Sequence, residues 1–395
     1  MSNNINPGLV TSGLGFYYDM GNIGKSFIGA PATNLAYTGV TPGAESINTW
    51  TNSGAATLNT NETDVTKPSI PYDSKIPSNL NILSGLCTTS GSIHCGPIGI
   101  TTVSASTTYT ISTWFRQNRA GSTSPYMRTN VNNNSLGNFS YNGDTNSGNW
   151  PVNQWIRITC TGTTQSNENG VYLSNYLGTA GDKIWYYGYQ VELGSIATAF
   201  TTGTRTNTQA LYDLTNNNTI TATSLTYASD GTFRFNGSSN YLVCTNNGLS
   251  HGNADFTYSC WASLADKPVY GTFFENGSWG TSLLIRFEMS CITVYSMNAG
   301  WGNFPWNPTL NTWHHLTFVR NGSNLYFYVD GVYNNSMAFT ANVIPGTAYM
   351  YIGTSQHATS QAFNGKIATA SVYTRSLSAS EVKQNFNAHR GRFGI

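Results

Sequence analysis

Hydrolysis of a glycoside needs two carboxylates about 5–10 Å apart. The nearest acidic pair on strand-like stretches of this chain is Glu275 and Glu288, and nothing around either marks it as catalytic. A serine nucleophile of the Ser-His-Asp kind would need a sharp elbow that the sequence does not contain. His314 and His315 are adjacent, so on a strand they face opposite sides and cannot share one metal; they read as one histidine at the core edge and one at the surface. The six cysteines (Cys87, Cys95, Cys160, Cys244, Cys260, Cys291) show neither a CxxC pair nor zinc spacing. Cys160 and Cys260 lie inside strand patterns and read as buried free thiols. Calcium would need an Asp-rich loop, and Asp213 and Asp230 are the only residues that come near the requirement. The sequence therefore predicts no catalytic group, no metal and no cofactor.

Binding has a better case. The segment Asn298-Ala-Gly-Trp301-Gly-Asn-Phe304-Pro-Trp306-Asn-Pro sets two tryptophans and a phenylalanine in a Gly/Pro/Asn context that reads as a loop. Such rings stack on sugar rings, and an amide such as that of Asn298 bonds hydroxyls. Trp279, in Asn276-Gly-Ser-Trp-Gly, is a lesser candidate of the same kind. The competing reading is that these rings tuck onto their own sandwich or onto a neighbouring subunit.

These residues must be held by strands. Charged residues make up only 9% of the 395, with 40 Gly and 24 Tyr in their place. That balance favours strands and tight turns over helices. Aromatics at 13% supply enough bulk for sizeable cores, and the length fits two or three domains. A net charge of +1 with scattered Lys and Arg gives no electrostatic basis for nucleic acid or anionic membrane. No apolar run approaches the roughly 18–20 residues of a membrane-spanning helix. The opening MSNNINPGLVTSG lacks the basic and apolar regions of a secretory signal, so a route out of the cell by lysis is expected.

An internal repeat organises the chain. Thr108-Tyr-Thr-Ile-Ser-Thr-Trp114 matches Phe256-Thr-Tyr-Ser-Cys-Trp261, and Asn153-Gln-Trp155 matches Asn311-Thr-Trp313. Each second Trp is followed by a Gly/Asn turn and another strand. Two sandwiches of similar plan follow, with each Trp expected to anchor a core through an indole N–H bonded to backbone. Between residues 311 and 335 the pattern predicts a meander of three strands. Leu325, Phe327 and Val329 face the core, and Tyr326 and Tyr328 face water. Residues 25–80 are proline-rich and read as irregular, with two edge strands, one of them over Ser46–Trp50. One helix is predicted after Ser378, whose Glu381 three residues on completes a capping box.

The Trp-His-His opening, the turn and the strand ending Val329-Asp-Gly resemble the laminin-G and concanavalin A-like lectin sandwich. Phe363-Asn-Gly-Lys-Ile-Ala and Val372-Tyr-Thr-Arg-Ser-Leu-Ser-Ala-Ser-Glu-Val resemble its last strand and short helix. The Glu-x-Asp-x-x-Glu strand of laminarinase-type enzymes with that fold is absent. Three further segments resemble lectin-like and carbohydrate-binding jelly-roll modules of bacteriophage structural proteins. They are Gly8-Leu to Gly21-Asn22, Gln190-Val-Glu-Leu-Gly-Ser-Ile-Ala-Thr-Ala-Phe-Thr-Thr-Gly-Thr-Arg205, and the tail from Gln384. In such modules the opening strand is soon followed by a segment like Leu211-Tyr-Asp-Leu-Thr, which here comes about 190 residues later.

The expectation is an all-β protein of two jelly-roll or concanavalin-like β-sandwiches with one short C-terminal helix. Residues 25–205 would form a carbohydrate-binding-like jelly roll and 206–395 a laminin-G-like domain, with strand 1–24 completing the latter around an inserted domain. The resemblance implies a non-enzymatic structural protein at the virion surface, as capsid decoration or a short tail fibre. Its implied partners are other virion proteins, further copies of itself and cell-surface polysaccharide, without nucleic acid or membrane insertion. The alternative is a free glycan-binding lectin or a glycoside hydrolase.

Overall fold

The computed structural model describes residues 8–395 apart from 23–24, 29–31, 50–55, 69–79, 91–92, 98–99, 122, 124, 132, 225, 228–231, 278–282, 297–299, 345–348 and 357–358. Strands dominate, and the one α-helix among these residues is Ala379–His389. The all-β class and the short C-terminal helix are as the sequence leads one to expect. The chain divides into two compact units, residues 1–30 with 206–395, and residues 31–205.

In the unit of residues 31–205, a five-stranded and a six-stranded sheet enclose one core. The strand Thr108–Gln117 is the second of five in the first sheet, between Ile156–Thr163 and Lys183–Leu193. Its alternation sends Tyr109, Ile111 and Phe115 into the core and Trp114 to the opposite face. There Trp114 is covered by the segment after Leu193. Phe200 meets its ring edge-on at 6.0 Å. Gln190 accepts from Thr201 N at 2.7 Å, Glu192 accepts from Thr198 N at 3.0 Å, and Arg205 donates to Thr198 Oγ1 at 2.7 Å. The Gln-x-Glu…Arg pattern of 190–205 is thus a strap that hydrogen-bonds to itself over a tryptophan.

The other unit packs an eight-stranded sheet on a seven-stranded one. Its core takes Phe256, Tyr258 and Cys260 from strand Phe256–Leu264, together with Leu316, Phe318, Leu325, Phe327, Ile285 and Phe274. Strand Asn364–Tyr373 pairs along one side with Phe256–Leu264 and along the other with two partners: Phe233–Asn236 takes its first half and Leu14–Asp19 its second. Phe16 and Tyr18 enter the core, while Tyr17 and Asp19 face the other way. Asp19 accepts from Arg392 at 2.5 Å, and the Tyr17 hydroxyl bonds Asp19 at 3.3 Å and His389 at 3.0 Å. Burial works against the Asp19 carboxylate, but the bond from His389 and the charge of Arg392 outweigh it and hold its pKa below the usual range.

The repeat persists in the strand register. Trp114 stands opposite Arg157, two residues after Trp155, and Trp261 stands opposite His315, two residues after Trp313. Each partner lies against its indole: the Arg157 guanidinium 5.1 Å from the Trp114 ring, the His315 ring 5.2 Å from that of Trp261. Where the strap covers Trp114, the helix covers Trp261. Phe386 and Phe393 stack on it at 5.6 Å and 4.3 Å.

Two expectations need correction. Trp261 is fully buried, yet on the outer face of its sheet, and its Nε1 has no hydrogen-bond partner among the described residues. Trp155, which bonds Thr66 O at 2.8 Å, does follow the expected backbone pairing. The tyrosine face of the meander is not wet either. Tyr328 is buried with Val319, Tyr373, Leu377 and Val382, because the helix that begins at the Ser378–Glu381 capping box lies over it.

Removing residues 1–24 strips Phe16 and Tyr18 from the core and leaves half an edge of Asn364–Tyr373 unpaired. The expected result in calorimetry is loss of the melting transition of the 206–395 unit with the other transition retained. A pH dependence also follows. Burial holds His315 down at about 3, helped by His389, and His251 down at about 4, helped by Arg320. Unfolded histidines titrate near 6.5, so stability is full above about pH 6.5 and declines toward pH 4 as the unfolded chain binds two protons the fold refuses. Tm should fall through that window, with a shallower slope in His315→Gln.

Candidate functional site

The seven-stranded sheet runs Ile220–Thr223, Tyr241–Thr245, Tyr349–Ile352, Gly271–Asn276, Leu283–Glu288, Cys291–Ser296, Gly300–Pro305. Its inner face carries Leu242, Ile352, Ile285, Val294 and Phe304. The opposite side chains form rows across its outer face. One row reads Tyr351, Glu275, Leu284, Tyr295, Trp301, and the next Thr272, Arg286, Thr293, Asn303.

The expected aromatic loop is in fact the edge strand Gly300–Pro305. Its alternation separates the candidates. Trp301 lies outward and is 49% exposed, whereas Phe304 is 0% exposed and packs 5.4 Å from Phe327 in the core. Gly302 faces the same way as Phe304 and lies against the Met337 side chain of the opposite sheet, which would have to move to admit a Cβ there. Trp306 is half-buried against Phe287, Phe327 and His314 and closes the core edge. Phe304 is therefore a core residue, and Trp306 keeps part of its surface at the core edge. Trp279 and Asn298 lie outside the described residues.

Trp301 is held by residues that the sequence reading did not single out. Tyr295, its cross-strand neighbour, lies 4.3 Å away between ring centroids. The Arg286 guanidinium is 4.6 Å from the Trp301 ring and 4.0 Å from that of Tyr270. Arg286 is 5% exposed. Its Nη2 and Nε donate to Glu288 Oε2 at 2.8 Å and 3.3 Å, and its Nη1 donates to Gln361 Oε1 at 3.2 Å. An Arg interrupting the apolar strand Leu283-Leu-Ile-Arg-Phe-Glu was the available signal, since a charge on a buried strand needs partners.

Other candidates resolve into structure. Glu275 is fully buried and accepts from Gln356 N at 2.6 Å. Its register partner Leu284 is four residues from Glu288, so the two backbone positions lie about 13 Å apart along the strand direction, and Glu288 is engaged by Arg286. Asp213 accepts from Tyr17 N, Thr215 N and Oγ1, and Asn218 N and Nδ2, all between 2.7 and 3.0 Å. It pins strand Leu14–Asp19 to the turn after 213. Asp230 lies outside the described residues. Among those residues no group of three or more His, Cys, Asp or Glu could hold a metal, and no helix is long and apolar enough to cross a membrane. His315 is buried against Ser259 Oγ at 2.8 Å, and His314 bonds Asp330 at 2.9 Å. The six cysteines are free thiols, five of them buried. A shallow groove of about 480 Å³ elsewhere on the unit is floored by Gly13, Leu14, Gly15 and Gly248.

A family model of the concanavalin A-like lectin/glucanases superfamily matches residues 236–383, which span the site. The match covers less than half of the chain, and what it gives the C-terminal unit is a concanavalin-like sandwich fold, in keeping with its two packed sheets. No curated protein matches the chain. Among solved structures, the receptor-binding domain of botulinum neurotoxin C/D mosaic serotype aligns with TM-score 0.39 and 11% identity, over 45% of this chain and 48% of that one. Domain 4 of AbnA, a GH43 extracellular arabinanase from Geobacillus stearothermophilus in complex with arabinotriose, aligns with TM-score 0.36 and 19% identity, over 44% and 91%. The chain spans about half the length of the toxin structure. At these identities the likeness is one of fold and does not extend to what those proteins bind.

The alternation separates two neighbouring aromatics by experiment. Phe304→Ala should cost about 3–5 kcal/mol, and Trp301→Ala less than about 1 kcal/mol, as read by denaturant unfolding.

Proposed function

We propose that this is a non-enzymatic glycan-binding protein that receives sugar rings on the outer face of its seven-stranded sheet. The observation that carries the reading is Trp301, a half-exposed indole on an edge strand, held from beneath by Arg286 and Tyr295. A ring fixed in this way offers stacking area without the entropy cost of ordering it on binding. Asn303, exposed on the same face two residues on, supplies amide groups for hydroxyls. A hydrolase reading has less to support it, since Glu275 is buried against Gln356 N and Glu288 is paired with Arg286. Calorimetry against a panel of oligosaccharides tests this: Trp301→Ala should abolish binding with Tm nearly unchanged, and unaltered binding would remove Trp301 from the site.

We further propose that the protein is displayed in several copies on a bacteriophage particle, as capsid decoration or a short fibre. This reading rests on the segments at 8–22, 190–205 and 384–395 that resemble phage modules. Its self-association is supported by the edge strand Val332–Ala338, which carries no charge and no proline and leaves Val332 60% and Tyr333 53% exposed. Antibody-gold labelling of particles should decorate heads or tails, and unlabelled particles would refute the placement. Light scattering that returns the mass of a single chain would refute the self-association.

A further inference from the structure

The ligand's charge class can be read from the groups beneath Trp301. Each guanidinium nitrogen of Arg286 already has a carboxylate or amide acceptor, and the group lies against two rings. Its side chain is 6% exposed, and Glu288 neutralises it. A ligand carboxylate or sulfate would reach this cation only by displacing Glu288. The same face holds a second carboxylate, Glu275, buried in the row that ends at Trp301. The loop leading to Tyr270 adds one charge of each sign, Asp266 and Lys267, and both are engaged by asparagine side chains. Beside the indole the one guanidinium is thus matched by the Glu288 carboxylate, with uncharged Asn303 and Thr293 next to them and Glu275 buried three strands away.

We propose that the Trp301 platform selects uncharged glycans and excludes acidic ones, with Arg286 as its positioning residue and Glu288 as the residue that masks the cation. This rests on the glycan-binding reading above. Arg286 orients the indole through its planar fork, which a lysine lacks. Glu288 sets the sign of the site.

The test compares neutral oligosaccharides, such as xylo- and manno-oligosaccharides, with oligogalacturonides on the intact protein. The wild type should prefer the neutral members by at least about tenfold. Its affinity should be nearly constant from about 50 mM to about 500 mM salt, because no ligand charge is involved. Glu288→Gln unmasks Arg286 and should raise affinity for the oligogalacturonides and make it salt-sensitive. Arg286→Lys should weaken neutral binding without changing the preference, and a circular dichroism spectrum and Tm near wild type would establish that the fold is kept. Equal or tighter binding of acidic sugars by the wild type, or no gain for them in Glu288→Gln, overturns the proposal while leaving glycan binding intact. Binding of no oligosaccharide of either class overturns both.

Discussion

The 206–395 unit is closed by strand pairing between residues 14–19 and 369–373, and much else in the molecule depends on that closure. The added strand supplies Phe16 and Tyr18 to the core and carries Asp19 to a site where Arg392 and His389 converge. Val10 N bonds Asn385 Oδ1 at 2.9 Å, and the Tyr373 hydroxyl bonds Val10 O at 2.9 Å, so the helix is fastened to the same segment. The helix in turn covers Trp261 and Tyr328. Without the N-terminal strand, the sheet edge and the cover over its outer face lose their shared anchor.

The two units solve one packing problem in two ways. A sheet in a sandwich has an inner face that its partner covers and an outer face that must be polar or covered separately. Both units place a tryptophan at the centre of an outer face and a cationic or imidazole side chain opposite it in register. One is then covered by a strap of residues 195–205 and the other by a helix. Burial pushes Arg157 down to about 10 despite the opposing charge of Glu192. The third outer face, that of the seven-stranded sheet, is left partly open around Trp301, and the binding reading concerns that face.

Local signals made most of the fold legible. The capping box at Ser378, the alternation of Thr108–Gln117 and Phe256–Leu264, and the Asp330-Gly331 turn each depend on neighbours in sequence. The repeat was legible to the residue, since Arg157 and His315 occupy the same register position. The segment 298–307 misled because its Gly, Pro and Asn content resembles a loop. Those residues are tolerated in a strand at a sheet edge, where a missing proline N–H faces solvent, and the period of two that separates Trp301 from Phe304 was present throughout. Arg286 was not legible as part of the site, because its meaning depends on Tyr270, Trp301 and Gln361, which only the fold assembles. The pattern at 190–205 was visible, but the self-bonded strap it encodes was not.

The discontinuity of the larger unit has a kinetic side. Strand Leu14–Asp19 is synthesised early, while its partner Asn364–Tyr373 follows some 350 residues later, roughly 20–70 s at ribosomal rates of about 5–20 residues per second. Residues 31–205 hold all the partners their own sheets need and are free to mature during that interval. Phe16 and Tyr18 must meanwhile wait without a core. The order of the chain thus imposes a schedule in which the inserted unit ripens first and the larger unit closes last, with the strand made earliest among the last to find its place.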